Sequence, residues 1–290
     1  EVFKVYEITE KKDIALNTFL MYIKAPDIAR KAEPGQFLII IIDEKSERLP
    51  LTICDSNPEE GTVMIAVQKI GSTTQKLGEL NVGDTLKDVS GPLGRPSDFI
   101  NIPLEELKKE SIIFLAGGLG TAAVYPQVKW MHDHDVDVDV IIAARNKELI
   151  ILEDEMKKVA KNVYVATDDG SYGFSGLITD CLEDLISNKG KKYTYAIVVG
   201  PMIMMKFACL KTKEHNIKTI VSMNTIMVDG SGMCGACRLT VDGKTVFACV
   251  DGPEFDGHLI DWNEALRRSR QYSKIEKEGK HFCNLIGGLR

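Results

Sequence analysis

The hydrophobic and polar pattern divides the chain into a β-rich first third and a longer part in which strands alternate with helices. In the first third, short apolar runs are separated by turn signals such as Pro34-Gly35 and Val82-Gly83-Asp84. The predicted strands are Phe3–Thr9, Ala15–Ile23, Gln36–Ile42, Pro50–Cys54, Thr62–Ile70 and Asp84–Val89. Many short strands at this spacing are typical of an antiparallel β-barrel. The segment from Gly91 to Pro96 interrupts the pattern, so we predict a boundary near Phe99.

After Phe99 the spacing of apolar residues changes to that of strands alternating with helices. The predicted strands are Ile112–Ala116, Val138–Ala144, Val163–Thr167, Tyr195–Val199 and Lys218–Met223, and the predicted helices are Thr121–His132, Leu152–Ala160, Thr179–Ser187 and Met202–His215. Because parallel strands need crossover connections, this alternation predicts a doubly wound parallel sheet covered by helices on both faces. A polar helical stretch, Leu259–Lys277, follows near the end of the chain. We therefore expect three units: residues 1–98, 99–223 and 224–290.

Composition and charge limit the function classes. With 290 residues, 44% of them hydrophobic, 27% charged and only 10 Pro, the sequence is that of an ordinary folded protein of about two domains. The apolar run Phe37–Ile42 is far too short to cross a bilayer, and no signal segment opens the chain. A net charge of -6 gives no electrostatic reason to bind nucleic acid or anionic lipid. We expect a cytoplasmic protein without nucleic-acid or membrane partners.

A cysteine cluster near the C-terminal end carries the strongest chemical signal. Cys234, Cys237 and Cys249 follow Asp229 at a spacing close to the plant-type [2Fe-2S] pattern C-x4-C-x2-C with a distant fourth Cys. Asp229 stands at the first ligand position. Its carboxylate can ligate iron, or it can be a turn residue before Gly230 with the fourth ligand elsewhere. The pattern favours a [2Fe-2S] cluster held by Asp229, Cys234, Cys237 and Cys249.

Three other interpretations of the cysteine cluster stay open. The same four residues can bind zinc, although structural zinc sites prefer all-Cys or Cys/His sets. A thioredoxin-type Cys-x-x-Cys would leave Cys249 unexplained. The thiols can also be buried structural residues. The remaining cysteines have no such neighbours in the sequence, and we expect them to be inert small hydrophobes: Cys54, Cys181, Cys209 and Cys283.

Gly117-Gly118-Leu119-Gly120-Thr121 follows a predicted strand and precedes a helix, the context in which a pyrophosphate approaches backbone N–H groups. The third glycine of the dinucleotide fingerprint and the acidic residue after the second strand are missing, since Arg145 stands there. A nucleotide site and a plain tight turn remain alternatives. Arg145 can reach a ribose or phosphate, or it can be solvated. By local reasoning alone, Arg48 is a surface residue and the Gly71 to Thr74 segment is a loop able to bind an anion.

These motifs together resemble one family over nearly the whole chain. They are Arg48-Leu49-Pro50-Leu51-Thr52, Gly71-Ser72-Thr73-Thr74, Gly91-Pro92-Leu93-Gly94, Gly117-Gly118-Leu119-Gly120-Thr121 and the cysteine cluster. The sequence is similar to the ferredoxin-NADP reductase superfamily and, within it, to electron-transfer subunits of dihydroorotate dehydrogenase. With Asp229 in place of the first Cys, and with Phe247-Ala248-Cys249 continuing to Phe255, it most resembles small (alpha) subunits of NADH-dependent reduced ferredoxin:NADP oxidoreductase, also described as sulfide dehydrogenase.

The resemblance implies an FAD in the barrel. It places Arg48 near the flavin phosphates and the backbone of Pro50, Leu51 and Thr52 beside the isoalloxazine. The full implied set for FAD is Arg48, Leu49, Pro50, Leu51, Thr52, Val67, Gln68, Gly71, Thr73 and Thr74. Pro50 replaces the superfamily's flavin-stacking Tyr, so other contacts must hold the ring.

The resemblance also implies a nicotinamide dinucleotide in the second unit. Its pyrophosphate would lie at the glycine turn, and two further loops would close the pocket. The implied residues are Gly117, Gly118, Gly120, Thr121, Asp168, Asp169, Gly200, Pro201 and Met202, with Arg145 as a further candidate. Many superfamily members carry Cys before Gly200-Pro201; Val199 stands there in this chain, so no catalytic thiol is expected. NAD is preferred over NADP on the family resemblance.

By resemblance, hydride passes between NAD(H) and FAD, which passes single electrons to the [2Fe-2S] cluster. The implied partner is a larger flavin and [4Fe-4S] subunit that handles NADP and ferredoxin and performs electron bifurcation. With five scattered His residues and no nucleophile or paired-carboxylate pattern, we assign no side chain as catalytic acid, base or nucleophile. The rivals are a dihydroorotate dehydrogenase subunit and a non-catalytic redox sensor that holds a metal or cluster.

Overall fold

The computed structural model describes residues 6–273. The first part of the chain folds as β1 (Tyr6–Ala15), β2 (Thr18–Lys24), α1 (Pro26–Ala29), β3 (Phe37–Ile41), β4 (Leu49–Thr52), β5 (Asp55–Asn57), β6 (Thr62–Gln68), α2 (Ser72–Glu79), β7 (Thr85–Leu86) and β8 (Asp88–Leu93). Antiparallel pairing gives a five-stranded sheet, β5-β6-β2-β1-β7, and a three-stranded sheet, β4-β3-β8. Both sheets contribute to one core, for example through Phe19, Ile65 and Leu38. The antiparallel β architecture of the predicted barrel is confirmed, built here as two sheets.

Strand β3 is buried on both sides, which explains its continuous apolar sequence. Leu38 and Ile40 point into the barrel core, whereas Phe37 and Ile39 belong to the core that lies beneath the C-terminal cysteine region. Successive side chains of a strand point to opposite faces. This strand therefore joins the barrel to the rest of the molecule.

The second part forms a seven-stranded sheet with helices on both faces. Its elements are α3 (Leu104–Leu107), β9 (Ile112–Gly117), α4 (Gly120–Asp133), β10 (Val138–Ala144), α5 (Glu153–Val159), β11 (Asn162–Thr167), β12 (Phe174–Ser175), α6 (Ile178–Glu183), β13 (Tyr195–Val199), α7 (Met202–Glu214) and β14 (Lys218–Ser222). Short 3-10 turns lie at Asp98–Asn101 and Lys147–Leu149, and a π-helical turn at Asp184–Asn188 extends α6.

Two separate cores cover the two faces of this sheet. Val128 of α4 and Met156 of α5 pack on one face, while Leu182 of α6 and Met205 of α7 pack on the other. The strand order is β12-β11-β10-β9-β13-β14, with all pairs parallel, and a C-terminal strand, β17 (Glu254–Asp256), follows β14 as the seventh. The doubly wound fold is confirmed.

The C-terminal part corrects one expectation. It forms the hairpin β15 (Arg238–Val241) and β16 (Lys244–Phe247), then β17 (Glu254–Asp256) and α8 (Trp262–Ser269). The sequence predicts a sheet that ends at Lys218–Met223, but β17 pairs antiparallel with β14 and becomes its edge strand. The β15–β16 hairpin separates β14 from β17 in the sequence, so the local pattern of apolar residues does not predict that the two strands pair. The C-terminal part is thus hydrogen-bonded into the second sheet.

Two further expectations need correction. Gly71–Thr74 begins helix α2 rather than forming a loop, because the Thr74 hydroxyl accepts hydrogen bonds from the N–H groups of Ile70 and Gly71 at 3.1 and 3.0 Å. Helix α8 begins at Trp262 instead of Leu259, since Asp261 Oδ1 accepts from the N–H groups of Asn263 and Glu264 and caps the helix. Residues 274–277 of the predicted helix lie outside the described residues, as does Cys283.

The barrel and the second sheet meet through a small apolar cluster that includes Met64, Ala122 and Leu152. Beside it, Lys129 of α4 forms an ion pair with Asp55 of β5 at 2.8 Å. Between residues 6 and 273, no helix has both the length and the apolar character that a membrane span needs.

Candidate functional site

Two of the predicted metal-binding cysteines, Cys237 and Cys249, are in contact beside the β15–β16 hairpin, and Cys234 lies close enough for its charge to act on Cys249. Cys237 and Cys249 are buried, 1% and 2% exposed, while Cys234 is exposed. The Cys249 N–H donates to Cys237 Sγ at 3.5 Å. Burial, and then the neighbouring Cys237, raise the pKa of the Cys249 thiol to about 12. Thiols in this state must lose protons to bind a metal, so metal binding here is coupled to proton release.

Asp229 is bonded to its own loop. Its Oδ2 accepts from the N–H and hydroxyl of Ser231, at 3.0 and 2.5 Å, and from the Met233 N–H at 3.3 Å. The Ser231 contacts lower the pKa of the carboxyl, and the charge of Arg48 adds to this. Within the part of the chain that the structure describes, no three His, Cys, Asp or Glu side chains form a preformed metal site. The Asp229 carboxylate is thus engaged in hydrogen bonds within its own turn.

The loop that carries Asp229 rests on the barrel. Arg48 donates to the carbonyls of Val228 and Asp229, both at 3.1 Å. Gly230 has φ +82°, and a Cβ there would collide with Ile39 of β3. Only glycine both adopts this positive φ readily and allows the loop to approach Ile39 so closely. Arg48, expected at flavin phosphates, thus also fixes the cysteine loop.

Two arginines that the sequence analysis did not single out hold the cysteine segments. Arg268 of α8 donates to the carbonyls of Ala236 and Arg238, both at 3.1 Å, one on each side of Cys237. Arg95, after β8, donates to the Val250 carbonyl at 3.2 Å. No sequence motif marks them, because each acts on backbone atoms far away in the chain.

The barrel brings the two motifs implied for FAD together. Thr73, in the first turn of α2, donates to Glu47 at 2.7 Å, so this helix begins beside Arg48. A helix N-terminus with a neighbouring arginine is suited to bind phosphate. Pro50 and Thr52 lie on β4, paired with β3, and Val67 and Gln68 end β6. The Thr74 hydroxyl caps α2 through its hydrogen bonds with Gly71.

The two glycine turns of the second part lie against each other. A Cβ on Gly117 or Gly200 would collide with Met204, and one on Gly120 would collide with the Val199 carbonyl. These turns follow β9 and β13, at the carboxyl edge of the sheet where its strand order reverses. Nucleotides bind at such crevices in open α/β sheets. Thr121 lies fully buried there, and its hydroxyl has no hydrogen-bond partner.

A second loop pair borders the same edge. The Asp168 and Asp169 amides donate to the carbonyls of Ala144 and Arg145, at 3.1 Å each. Asp169 accepts from the Ser171 N–H at 2.9 Å, and the Ser171 contacts lower the pKa of its carboxyl. The side-chain amide oxygen of Asn146, Oδ1, is buried without a hydrogen-bond partner. Polar atoms of this kind at the sheet edge suit a polar ligand.

The other described cysteines lie apart from the site. Burial raises the pKa of Cys54 and Cys209 to about 12 and that of Cys181 to about 11. Unlike Cys249, none of these thiols has another cysteine among the groups that shift its pKa, so none belongs to the cluster site. They pack as small apolar side chains, as expected from the sequence.

Comparison with known proteins identifies the family. Residues 224–261 match the iron-sulfur cluster binding domain of dihydroorotate dehydrogenase B. The chain is 43% identical, over 93% of both chains, to the dihydroorotate dehydrogenase B (NAD(+)) electron transfer subunit homolog of Thermotoga maritima. It is 30% identical to that electron transfer subunit from Desulforamulus reducens, over 86% of this chain and 94% of the relative. The chain belongs to the dihydroorotate dehydrogenase B electron transfer subunit family. An uncharacterised Clostridium beijerinckii protein is 56% identical over 95% of this chain and 93% of its own length.

One solved structure is closely similar to this chain. A chain of the NADH-dependent reduced ferredoxin-NADP oxidoreductase, described for flavin-based electron bifurcation, superposes with a TM-score of 0.85 at 42% identity, covering 95% of this chain and 97% of that one. Phthalate dioxygenase reductase has a TM-score of 0.57 at 17% identity, over 83% and 87% of the two chains, which shows the shared fold alone. The resemblance stated from the motifs is confirmed.

The residues present suit the groups that the electron transfer subunit family implies. Three neighbouring thiols and three glycines with positive φ, at 230, 232 and 235, provide anionic ligands and close backbone for a small cluster. The buried, unpartnered hydroxyl of Thr121 and the open space beside Gly118, where a Cβ would meet no atom within 4 Å, suit a dinucleotide at the sheet edge.

Proposed function

We propose that this electron-transfer subunit moves electrons between NAD(H), FAD and a [2Fe-2S] cluster, as part of an electron-bifurcating NADH-dependent reduced ferredoxin:NADP oxidoreductase in the cytoplasm. The similarity over almost the full length of both chains, at 42% identity, to a subunit of that enzyme carries this proposal. When bound, the cofactors supply hydride acceptance and single-electron transfer. The chain positions them and excludes water, with no side chain assigned as acid or base.

In this proposal the carboxyl edge of the second sheet binds NAD(H). Gly118 faces open space for the pyrophosphate, while Gly117 and Gly120 pack closely against Met204 and Val199 and shape the turn. Thr121 and Asn146 offer their unpartnered oxygen atoms to the ligand. The surrounding loops that complete the pocket contain Arg145, Asp168, Asp169, Gly200, Pro201 and Met202. The family supports NAD over NADP.

The barrel holds FAD against this edge. Arg48 and the N-terminus of α2, with Gly71 and Thr73, bind the phosphates, while the β4 backbone lies along the ring. Arg48 also contacts the loop of Asp229, so one side chain links the flavin site to the cluster site. The other residues proposed for this site are Leu49, Pro50, Leu51, Thr52, Val67, Gln68 and Thr74.

The cluster is proposed to be held by Asp229, Cys234, Cys237 and Cys249. Around the exposed Cys234, apolar side chains lie open to solvent: Met233 is 88% exposed and Val228 53%. Exposed apolar residues beside a redox centre suit a protein partner. We assign this surface to a larger flavin and [4Fe-4S] subunit, through which ferredoxin and NADP are reached.

A second candidate is the electron transfer subunit of an NAD-dependent dihydroorotate dehydrogenase. The names of the Thermotoga maritima and Desulforamulus reducens relatives favour it. The two candidates share every cofactor and differ in the partner subunit and in its substrate.

The discriminating experiment is co-purification of the tagged chain from its native cells under anaerobic conditions. The copurified complex is then assayed for NADH-dependent reactions. We expect a larger iron-sulfur flavoprotein, and reduction of NADP coupled to NADH and reduced ferredoxin. A complex that instead forms orotate from dihydroorotate with NAD, and lacks the ferredoxin reaction, contradicts the bifurcating assignment and supports the second candidate.

A further inference from the structure

A polar cluster lies where the three parts of the chain meet. Glu254 of β17 accepts two hydrogen bonds at Oε1, from the Ser97 hydroxyl at 3.0 Å and from Gln127 Nε2 at 2.8 Å. Ser97 follows β8, and Gln127 belongs to α4; they are 0% and 1% exposed. One carboxyl group therefore connects the barrel, the nucleotide-binding sheet and the strand that follows the cysteine cluster.

The Glu254 side chain also borders a cavity of about 230 Å³. The charged and titratable groups around it are Arg95, Asp98, Asp251 and Asp256 on the cavity wall, and Tyr195 of β13. Burial raises the pKa of Glu254 to about 7, and the Asp98 charge adds to this, against the opposing hydrogen bonds from Ser97 and Gln127. The carboxyl group therefore changes its protonation state near neutral pH.

Gln127 is arranged to satisfy either protonation state. Its Oε1 is buried and has no hydrogen-bond partner. A protonated carboxyl group has an O–H donor that the carboxylate lacks. After a turn of the Gln127 amide, its carbonyl accepts that hydrogen, whereas in the orientation seen here its NH2 group donates to the carboxylate. Ser97 can donate in both states.

We propose that Glu254 binds a proton when the redox groups of the chain are reduced. The inference rests on the proposed function. Each electron adds one negative charge, and the Glu254 carboxylate takes one proton from water, so that the net charge of the protein is unchanged. Glu254 lies on the segment that leaves Cys249, and Val250 of that segment packs against Gly232 of the cluster loop. Proton uptake at this position offsets the added charge within the same part of the fold.

The test is redox potentiometry of the anaerobically purified, cofactor-loaded protein on both sides of about pH 7. Because a reduced flavin binds a proton of its own, the potential to follow is that of the [2Fe-2S] cluster. We expect the cluster midpoint potential to fall as the pH rises, with a slope of up to about 59 mV per pH unit for one proton per electron. In Glu254→Gln the slope should vanish. Asp256→Asn removes a carboxylate from the same cavity wall and should keep the slope. A slope unchanged in Glu254→Gln overturns the proposal.

Infrared spectroscopy and a second variant test the same proton uptake. The infrared difference between reduced and oxidised protein should show a protonated carboxyl group gained on reduction, absent in Glu254→Gln; its absence from the wild type contradicts the proposal. If Glu254→Gln does not load its cofactors, Asp98→Asn should move the onset of the slope to lower pH, and an unmoved onset counts against Glu254. A purified protein that holds neither flavin nor iron contradicts the proposed function, and this outcome is distinct from an unchanged pH slope, which contradicts only the role of Glu254.

Discussion

The Asp229 side chain determines how the cysteine loop is arranged before any metal is bound. Its carboxylate accepts from Ser231 and Met233, and Arg48 holds the adjoining carbonyls. The same carboxylate stands where a thiolate would complete the plant-type ligand spacing. The Asp229 carboxylate can therefore either ligate iron, as an oxygen donor that is harder than a thiolate, or keep its hydrogen bonds within the turn.

Replacing this carboxylate by a thiol tests whether it touches iron. In Asp229→Cys, a thiolate replaces an oxygen ligand, so the midpoint potential of the cluster should change, as measured by potentiometry. Asp242→Cys, in the β15–β16 turn, is the matched control and should leave the potential unchanged. An unchanged midpoint in Asp229→Cys would rule out Asp229 as a ligand.

At the scale of elements, the local pattern predicts the strands and helices whose apolar residues repeat regularly. Strands β10 and β13 have the predicted bounds, and α4 and α7 agree to within a residue at each end. The pattern misses α2, whose start depends on the Thr74 hydroxyl, and β17, which depends on pairing with β14. Ser97, Gln127 and Glu254 are far apart in sequence, so only the tertiary fold brings them together.

Helix α8 acts on the cluster through one side chain. Arg268→Ala removes the hydrogen bonds to the Ala236 and Arg238 carbonyls on both sides of Cys237, so we expect a lower iron content and faster loss of cluster on exposure to a chelator. Arg267→Ala removes the same charge from an exposed position next to it and serves as the control. Equal cluster retention in the two variants would show that Arg268 has no positioning role.

At the scale of the whole molecule, the three parts of the chain are joined by polar contacts as well as by apolar cores. Lys129 and Asp55 link the second sheet to the barrel, and Glu254 links all three parts. The sequence resemblance predicts the order of the three parts but not the polar contacts between them, because no motif contains the residues that form them. Because one of these contacts involves the Glu254 carboxyl group, the free energy of unfolding should depend on pH.

The free energy of unfolding should respond to pH through Glu254. Its folded pKa, about 7, exceeds the ordinary value of 4.5, so its contribution is fully present below about pH 4.5 and is lost as the pH rises through about 7. The loss is at most about 3 to 4 kcal/mol, less to the extent that water reaches the carboxyl group. Urea denaturation across this range measures it. Glu254→Gln should remove this part of the pH dependence and Asp256→Asn should retain it; the reverse pattern contradicts the assignment.

The most direct test of the central claim is an anaerobic visible spectrum of the purified chain, with iron, sulfide, zinc and flavin analysis, before and after NADH. A [2Fe-2S] cluster and FAD require two irons, two sulfides and one flavin per chain, bleached by NADH. Cys237→Ser should lose the iron absorption, whereas Cys181→Ala, which changes a cysteine outside the site, should keep it. Zinc without flavin, or a spectrum indifferent to NADH, would contradict the electron-transfer account.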